Sequence, residues 1–380
     1  MNRTIRFAED AVEYEADRRH ADLIIREFFP QGAKPAVTPG TDIGRSEKDR
    51  MCSAEMNKAD ARRFRGLAAR INYLAMDRTD LQYSAKTVAK SMATPREADW
   101  ATMKRVAKYL VGAPRCIQKF KWQDAQDLIV THSDSDWAGK EKDRKSTSGG
   151  VITYGQHVLK TWSSQQQTIA LSSGEAELYA LLKAAAQTKG MMAVLADFGI
   201  KVQGTVLTDA SAALGIVHRE GLGKTRHIEV QYLWIQQEVA KKSFQVTKVG
   251  THDNLADILT KNVTAECMAR HLNTMKFYFD TSYAAKDLRI SRIGNDSWVA
   301  RKDSGEWIRE HVNPRTAMFT PYKIALGPKK SEEVGSVRIT VGKYVDGKEF
   351  VKVEDWKSLT EAHERSEKPW TGFTMFAKMV

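Results

Sequence analysis

The sequence predicts an α/β fold in which a mixed five-stranded sheet carries helices on its faces. Two observations support this prediction. Between residues 128 and 261, β-rich runs and helical periodicities follow one another in the order β-β-β-α-β-α-α-β-α. In the same stretch, four acidic motifs place a carboxylate at the end of a strand or in the first turns of a helix. We therefore expect these acids to converge at one edge of the sheet.

The first three strands are predicted to be antiparallel. Residues 128–130 form a β-rich run that leads directly into Asp134. Residues 151–154 and 157–162 are separated by Gly155-Gln156, a spacing that is typical of a hairpin. Asp134 is therefore expected at the end of the first strand of this set.

The remaining elements alternate between helix and strand. Ser172 and Ser173 are expected to cap a long helix that carries Glu175 and Glu177. Further along the chain we predict a strand at 206–207 leading to Asp209, helices at 212–217 and 228–239, a strand at 244–249, and a last helix opening at 255–259 with Asp257.

Composition limits the class of protein. A chain of 380 residues is expected to form two or three domains, and a hydrophobic share of 42% is enough for each to bury a hydrophobic core. A formal charge of +12 favours a polyanionic partner. Three widely spaced cysteines predict neither a disulfide framework nor a zinc site. No apolar run indicates a signal peptide or a membrane span, so we expect an intracellular protein, cytoplasmic or nuclear, without a membrane partner.

Several motifs, taken together, resemble a known family. SDSDWAG (133–139), STSGG (146–150), TWSSQQ (161–166), SSGEAELYA (172–180), TDASAALGI (208–216), KTRHIEVQYLWIQ (224–236) and NLADILTK (254–261) occur in this order. They resemble the ribonuclease H domain of copia-type retrotransposon polyproteins, and residues 60–112 resemble the connection that precedes it in the same elements. The resemblance covers roughly residues 14–272 and implies a ribonuclease-H-like fold.

The resemblance implies a metal-dependent endonuclease that cuts the RNA strand of RNA–DNA hybrids. Carried over by motif, Asp134, Glu177, Asp209 and Asp257 would be both the catalytic residues and the metal ligands. Two Mg²⁺ ions about 4 Å apart, or Mn²⁺ in their place, would activate water and neutralise phosphate charge. Hard cations prefer oxygen ligands, which agrees with an acid set without Cys or His.

Two assignments have alternatives. Glu175 and Glu177 point roughly 200° apart around a helix, so only one can face the strand ends. The string Glu177-Leu178-Tyr179-Ala180 favours Glu177, and Glu175 suits the helix start. His252 resembles the mobile histidine that assists proton transfer or product release in some ribonucleases H, and its alternative is a solvated loop residue.

Basic and hydroxyl side chains in two places are candidate contacts to nucleic acid. They are Lys140, Arg144, Lys145, Ser146 and Thr147 after the first acidic strand, and Lys224 and Arg226 before the next predicted helix. Such groups suit a grip on phosphates, because hybrid shape rather than base sequence is recognised. A solvated hairpin loop explains the first group equally well.

The expected organisation has four segments. These are 1–59, a thumb-like remnant and linker; 60–125, the helical connection; 126–277, the ribonuclease H domain; and 278–380, a small β-rich domain with a hairpin at 337–353 and no assigned role.

No polymerase motif occurs, so no DNA synthesis is expected, and the chain is interpreted as part of a copia-type polyprotein or a separately encoded remnant. Its expected partners are the RNA–DNA hybrid and other parts of the polyprotein. The alternative function is that of a catalytically silent remnant acting as a nucleic-acid-binding or scaffold protein.

Overall fold

A computed structural model describes residues 3–41, 47–139, 144–221 and 233–280, together with six short strands after residue 290. Within the described part of the first 280 residues, the α-helices are α1 (Arg18–Phe28), α2 (Glu47–Cys52), α3 (Lys58–Ala75), α4 (Gln82–Lys90), α5 (Asp99–Gly112), α6 (Ser173–Asp197), α7 (Ser211–Val217), α8 (Trp234–Ala240) and α9 (Ala265–Thr274). The strands are β1 (Thr4–Phe7), β2 (Ala11–Glu15), β3 (Arg115–Lys121), β4 (Leu128–Asp136), β5 (Thr147–Tyr154), β6 (His157–Gln165), β7 (Gln203–Thr208), β8 (Gln245–Lys248) and β9 (Phe277–Asp280).

The predicted mixed five-stranded sheet is present, with strand order β6-β5-β4-β7-β8. β4, β5 and β6 are antiparallel neighbours, whereas β7 runs parallel to β4 and β8 runs parallel to β7. Because β4 is central, its C-terminal end lies beside the end of β7, where the chain leaves for α7. This topology confirms the ribonuclease-H-like α/β class expected from the sequence.

Local sequence explains the elements that carry the acids. In β4, Ile129, Thr131 and Ser133 alternate inward and are fully buried. Helix α6 starts where Ser172 Oγ accepts a hydrogen bond from the Glu175 backbone N–H at 3.2 Å, the N-cap that the sequence predicted. α6 then packs on the sheet through alanines and leucines, which brings its first turns to the end of β4.

The last predicted helix differs from expectation. Residues Leu255–Leu259 form a 3-10 helix, and an α-helix begins only at Ala265. The Asn254 side chain caps the turn by accepting a hydrogen bond from the Ala256 N–H at 3.2 Å. The Thr260 N–H then bonds to the Asp257 carbonyl, three residues back, and Thr264 caps the next helix. Asp257 is thus held on a short, tight turn.

A second sheet was not predicted. It has four strands in the order β1-β2-β3-β9 and joins residues near the N-terminus to residues 277–280. Arg115 on β3 is buried and forms ion pairs with Glu15 on β2 at 2.6 Å and with Asp280 on β9 at 2.7 Å. Because charged side chains in this sheet are paired and buried, the strands lack the apolar alternation by which strands are recognised in sequence.

The helical connection packs directly on the five-stranded sheet. Buried apolar residues of α3, α4 and α5 share one cluster with Val151 and Val158 of the sheet. The same cluster includes Leu255 of the 3-10 helix Leu255–Leu259, which carries Asp257 and is called the acidic turn below. Gln82 Nε2 on α4 donates to Thr161 Oγ1 on β6 at 2.8 Å. Residues 12–281 accordingly form one compact unit, in which the expected segments 60–125 and 126–277 share a core.

The second compact unit contains residues 282–380 together with residues 7–11. Its described strands are β10 (Ser291–Ile293), β11 (Ser297–Arg301), β12 (Trp307–Ile308), β13 (Ala317–Met318), β14 (Arg338–Lys343) and β15 (Glu349–Glu354). β14 and β15 pair antiparallel, with Val341 opposite Val351, which confirms the predicted hairpin. Among the helices described in the chain, none combines the length and apolar character that a bilayer crossing requires.

Candidate metal centre

Asp134 lies near the end of the central strand, as predicted. Its side chain is buried at 3% exposure, and it stands opposite Gly149 on β5. The Thr260 hydroxyl, from the segment after the acidic turn, donates a short hydrogen bond to Asp134 Oδ2. Neighbouring elements thus hold this carboxylate in one orientation.

The structure separates the roles of the two glutamates on α6. Glu175 Oε2 accepts a hydrogen bond from the Leu171 N–H at 2.9 Å, and its Oε1 accepts one from the Tyr179 hydroxyl. Glu177 faces the strand end, where its Oε1 accepts from the Ser135 N–H at 3.3 Å. The other oxygen, Glu177 Oε2, is buried and has no hydrogen-bond partner among the described residues. Glu175 therefore fixes the start of the helix, and Glu177 offers an oxygen to the site.

Asp209 follows β7 and precedes α7. The N-cap residue of α7 is Ala210, and no side-chain hydrogen bond caps this helix. The ordinary explanation of an aspartate at this position, a helix cap, therefore does not apply. Its carboxylate is half-buried instead at the edge where β4 and β7 end.

Three of the four predicted acids converge. Carboxylate oxygens of Asp134, Glu177 and Asp209 all lie within 4.8 Å of one another. Burial, and after it the charges of Asp134 and Asp209, raise the pKa of Glu177 to about 9. Burial also raises the pKa of Asp134 to about 6, against the opposing effects of the Lys261 ammonium and the Thr260 hydroxyl. The fold thus brings three carboxyl groups to a point where either protonation or a bound cation relieves the repulsion between their charges.

Asp257 borders this group without joining it. Its Oδ1 accepts a hydrogen bond from Lys261 Nζ at 3.0 Å. Its carboxylate does not belong to the three-acid group defined by the 4.8 Å separation, although its charge contributes to the raised pKa of Asp134. The predicted fourth acid is therefore at the correct edge of the sheet but is engaged by a lysine.

The chemistry of the three carboxylates fits a hard divalent cation. The donors are all oxygens, which Mg²⁺ and Mn²⁺ prefer. The buried, unpartnered oxygen of Glu177 is an independent sign, because buried polar atoms without a partner are rare unless a ligand or water completes them. The residues present thus fit a divalent ion held by carboxylates.

The predicted histidine and the predicted basic contacts do not belong to the three-acid group. His252 lies on the 3-10 helix Thr251–Asp253 and is exposed, and no described hydrogen bond or ion pair joins its ring to the three acids. Arg144 is exposed and Lys145 is half-buried. Lys140, Lys224 and Arg226 lie outside the described residues.

The two predicted hydroxyl contacts are corrected by the structure. Ser146 is fully buried, and its Oγ accepts a hydrogen bond from the Ala138 N–H at 3.0 Å. Thr147 is buried, and its Oγ1 accepts one from Lys86 Nζ at 2.6 Å. Both hydroxyls are buried and bonded within the protein, so neither is presented to a ligand on the surface.

Sequence reasoning missed three residues that support the acids. Thr260 orients Asp134, Lys261 pairs with Asp257, and Asn254 Nδ2 donates to the Ser133 carbonyl at 2.9 Å, tying the acidic turn to β4. All three lie within the motif NLADILTK. The available signal was therefore the presence of donors three residues before Asp257 and three and four residues after it. Their role becomes visible only when the turn packs on β4.

Part of the chain is similar to known retrotransposon proteins. The chain is 30% identical over 232 residues to the Retrovirus-related Pol polyprotein from transposon RE2 of Arabidopsis thaliana, covering 60% of this chain and 16% of that protein. It is 25% identical over 254 residues to the corresponding polyprotein from transposon TNT 1-94 of Nicotiana tabacum, covering 65% of this chain and 19% of that protein. The chain thus spans less than a fifth of the length of these relatives. No family model matches the chain.

Solved structures include similar chains of ribonuclease H. LC11-RNase H1, isolated from compost by a metagenomic approach, is 19% identical, with a TM-score of 0.27; the match covers 39% of this chain and 99% of that chain. A crystal structure of LC11-RNase H1 in complex with an RNA/DNA hybrid is 14% identical, with a TM-score of 0.25; the match covers 38% of this chain and 99% of that chain.

Proposed function

We propose that the chain is a ribonuclease H that hydrolyses the RNA strand of RNA–DNA hybrids and that it corresponds to the C-terminal part of a copia-type retrotransposon Pol polyprotein, the class of protein to which it is similar. One observation carries the proposal: Asp134, Glu177 and Asp209 converge within 4.8 Å, although they come from three different elements. Charge repulsion between these three carboxylates destabilises the folded chain, and such destabilising arrangements are common in active sites.

The proposed cofactor is Mg²⁺, bound as two ions, with Mn²⁺ as a substitute. Asp134, Glu177 and Asp209 would hold the ions, and Asp257 would complete the ligand set. Bound divalent ions neutralise charge at a scissile phosphate and lower the pKa of a bound water. Cleavage is therefore expected to require divalent ions.

The protein's own residues prepare this site in three ways. The Ser135 N–H orients Glu177, and the Thr260 hydroxyl orients Asp134. Burial of both carboxylates excludes bulk water from the ligand oxygens, which strengthens their interaction with a cation. Such pre-positioned groups do not have to reorganise during the reaction. For the exposed His252 we propose a role in proton transfer or product release.

Nucleic-acid contact is proposed through backbone phosphates. Arg144 and Lys145 lie directly before β5, whose first residues pair with the end of β4 that carries Asp134. We propose that they act with Lys140, Lys224 and Arg226 as cationic contacts. A grip on phosphates and groove shape predicts cleavage that is largely independent of base sequence.

The proposal is tested with end-labelled duplexes of one sequence prepared as RNA–DNA, RNA–RNA and DNA–DNA. In Mg²⁺, the expected result is cleavage of the RNA strand of the hybrid alone, and none in EDTA. Equal cleavage of all three duplexes, or strong cleavage at one sequence in a library of hybrids, would argue against the assignment.

A further inference from the structure

A lysine occupies one side of the acid group. Lys261 Nζ donates to Asp257 Oδ1 at 3.0 Å, and the two residues are four positions apart across the end of the acidic turn. The side chain of Asp257 is 12% exposed, whereas that of Lys261 is 44% exposed. The ammonium therefore reaches the carboxylate from the solvent side.

The charge of Lys261 acts on more than Asp257. Its ammonium also interacts electrostatically with Asp134 and Asp209, which belong to the three-acid group. The preceding residue, Thr260, donates its hydroxyl to Asp134. Two consecutive residues thus supply a hydroxyl and an ammonium to the acids, and Thr260 fixes the backbone from which Lys261 extends.

This arrangement leaves the lysine able to move. An ion pair whose cation is nearly half exposed contributes little net stability, because water solvates the separated charges well. The Asp257 side chain, by contrast, is only 12% exposed and lies on the short 3-10 helix Leu255–Leu259. A divalent cation that approaches Asp257 would compete with the Lys261 ammonium, whose ion pair with Asp257 is readily broken.

We propose that Lys261 is a built-in counter-ion that competes with a divalent cation for the Asp257 side of the acid group. The inference rests on the proposed metal site and assigns a positioning residue to it. While the lysine is paired, Asp257 is withheld from the other three acids. When a divalent ion binds there, the ammonium is released toward solvent and Asp257 joins the ligand set. Lys261 thereby sets the ion concentration at which the site fills.

The test measures metal binding without nucleic acid. Thermal unfolding of the full chain is followed during titration with Mg²⁺ alone, because an ion that binds only the folded state raises Tm according to its affinity. Lys261→Met and Lys261→Gln remove the cation, and Lys261→Arg retains it. Lys160→Met is the matched control, since Lys160 is exposed and bonds to Gln187 on the long helix.

The neutral variants are expected to reach half-saturation at about tenfold lower Mg²⁺ concentration than the wild type, an effect of the size seen when groups surrounding metal ligands are changed. In EDTA they should unfold at nearly the same temperature as the wild type, because the half-exposed ion pair contributes little net stability. Lys261→Arg and Lys160→Met should resemble the wild type in both measurements.

Two results would overturn the inference, and they can be told apart. If Mg²⁺ stabilises the wild type and the neutral variants with the same concentration dependence, Lys261 does not compete, while the metal site stands. If neither the wild type nor the neutral variants respond to Mg²⁺, the proposed metal site fails together with the inference. Asp209→Asn provides the reference for a protein with a damaged site.

Discussion

Glu177 and Glu175 show how two identical side chains acquire different roles. Glu175 has a hydrogen-bond partner for each oxygen and lies near the start of α6, where a negative charge is favourable. Glu177 is equally buried but retains an oxygen without a partner, and it faces Asp134 and Asp209. Glu175 stabilises the fold, whereas the burial of Glu177 beside two other acids destabilises it.

Glu177→Gln should abolish cleavage and stabilise the metal-free protein. The pKa of Glu177 is about 9 in the folded chain and 4.5 ordinarily, so the fold favours its protonated form. The resulting penalty is absent below pH 4.5, grows as the pH rises and is complete above pH 9. The variant should therefore gain about 1 kcal/mol or more at pH 8 and little at pH 5, measured as thermal unfolding in EDTA.

Glu175→Gln is the matched control. It should lose about 1–2 kcal/mol of stability, because two hydrogen bonds to a charged carboxylate are weakened, while hybrid cleavage is retained. A Glu175→Gln variant that cannot cut, beside a Glu177→Gln variant that can, would reverse the assignment of the two residues.

The acidic turn Leu255–Leu259 depends on its neighbour in the sheet. Gly149 lies opposite Asp134, and a Cβ added there would come within 2.7 Å of Thr260 Cγ2, 2.9 Å of Leu259 Cβ and 3.0 Å of the Ala256 carbonyl. The absence of a side chain thus permits the turn to approach β4 and β5. This close approach places Asp257, and Thr260 and Lys261 directly after the turn, beside the other acids.

Gly149→Ala should displace the turn and weaken the site. The overpacking is expected to cost about 1–3 kcal/mol of unfolding free energy. Cleavage and Mg²⁺ affinity should fall with it, because Thr260 moves away from Asp134. Gly66→Ala is the control: nothing lies within 4 Å of its added Cβ in helix α3, so it should gain about 0.5–1 kcal/mol. Urea unfolding of both variants measures the difference, and equal effects would show that Gly149 is not packed against the turn.

Particular elements explain what could be predicted from the sequence. Strand β4 and helix α6 combine strong local patterns with recognisable acidic motifs, so the five-stranded sheet, the Ser172 cap and the convergence of Asp134, Glu177 and Asp209 were predicted. The sheet formed by β1, β2, β3 and β9 was missed because its strands are short and its buried arginine is paired with acids from distant parts of the chain. Lys261 and Asp257 are only four residues apart, but their pairing was missed because a helix was predicted in place of the 3-10 helix that carries Asp257. The hydrogen bond from Lys86 to Thr147 depends on tertiary packing, which no local pattern records.

At the scale of the whole molecule, the connection and the sheet are one folding unit. Phe64, Leu67 and Ile71 of α3 belong to the same buried cluster as Val151, Leu255 and Leu259. Arg78, in the segment between α3 and α4, is also buried and forms an ion pair with Asp80 at 2.6 Å. The helices therefore cover apolar surface that the sheet alone would expose to water.

A fragment of residues 126–277 should consequently be unstable, whereas a fragment of residues 1–281 should unfold cooperatively. The shorter fragment exposes the apolar face that contacts α3, α4 and α5, and it lacks strand β3. Circular dichroism during urea titration and dye binding to exposed apolar surface compare the two. A 126–277 fragment with a cooperative transition as steep as that of the longer one would contradict the shared core.

The central claim is that the converging acids form a metal-dependent nuclease site. The most direct measurement is cleavage of a labelled RNA–DNA hybrid in Mg²⁺ by the wild type, by Asp209→Asn and by Asp197→Asn, which removes the same charge at the exposed end of α6. The account predicts cleavage of the RNA strand by the wild type and by Asp197→Asn, and a loss of at least about 100-fold in Asp209→Asn. Cleavage that is unchanged in Asp209→Asn, or no cleavage by a wild type that binds the hybrid, would contradict it.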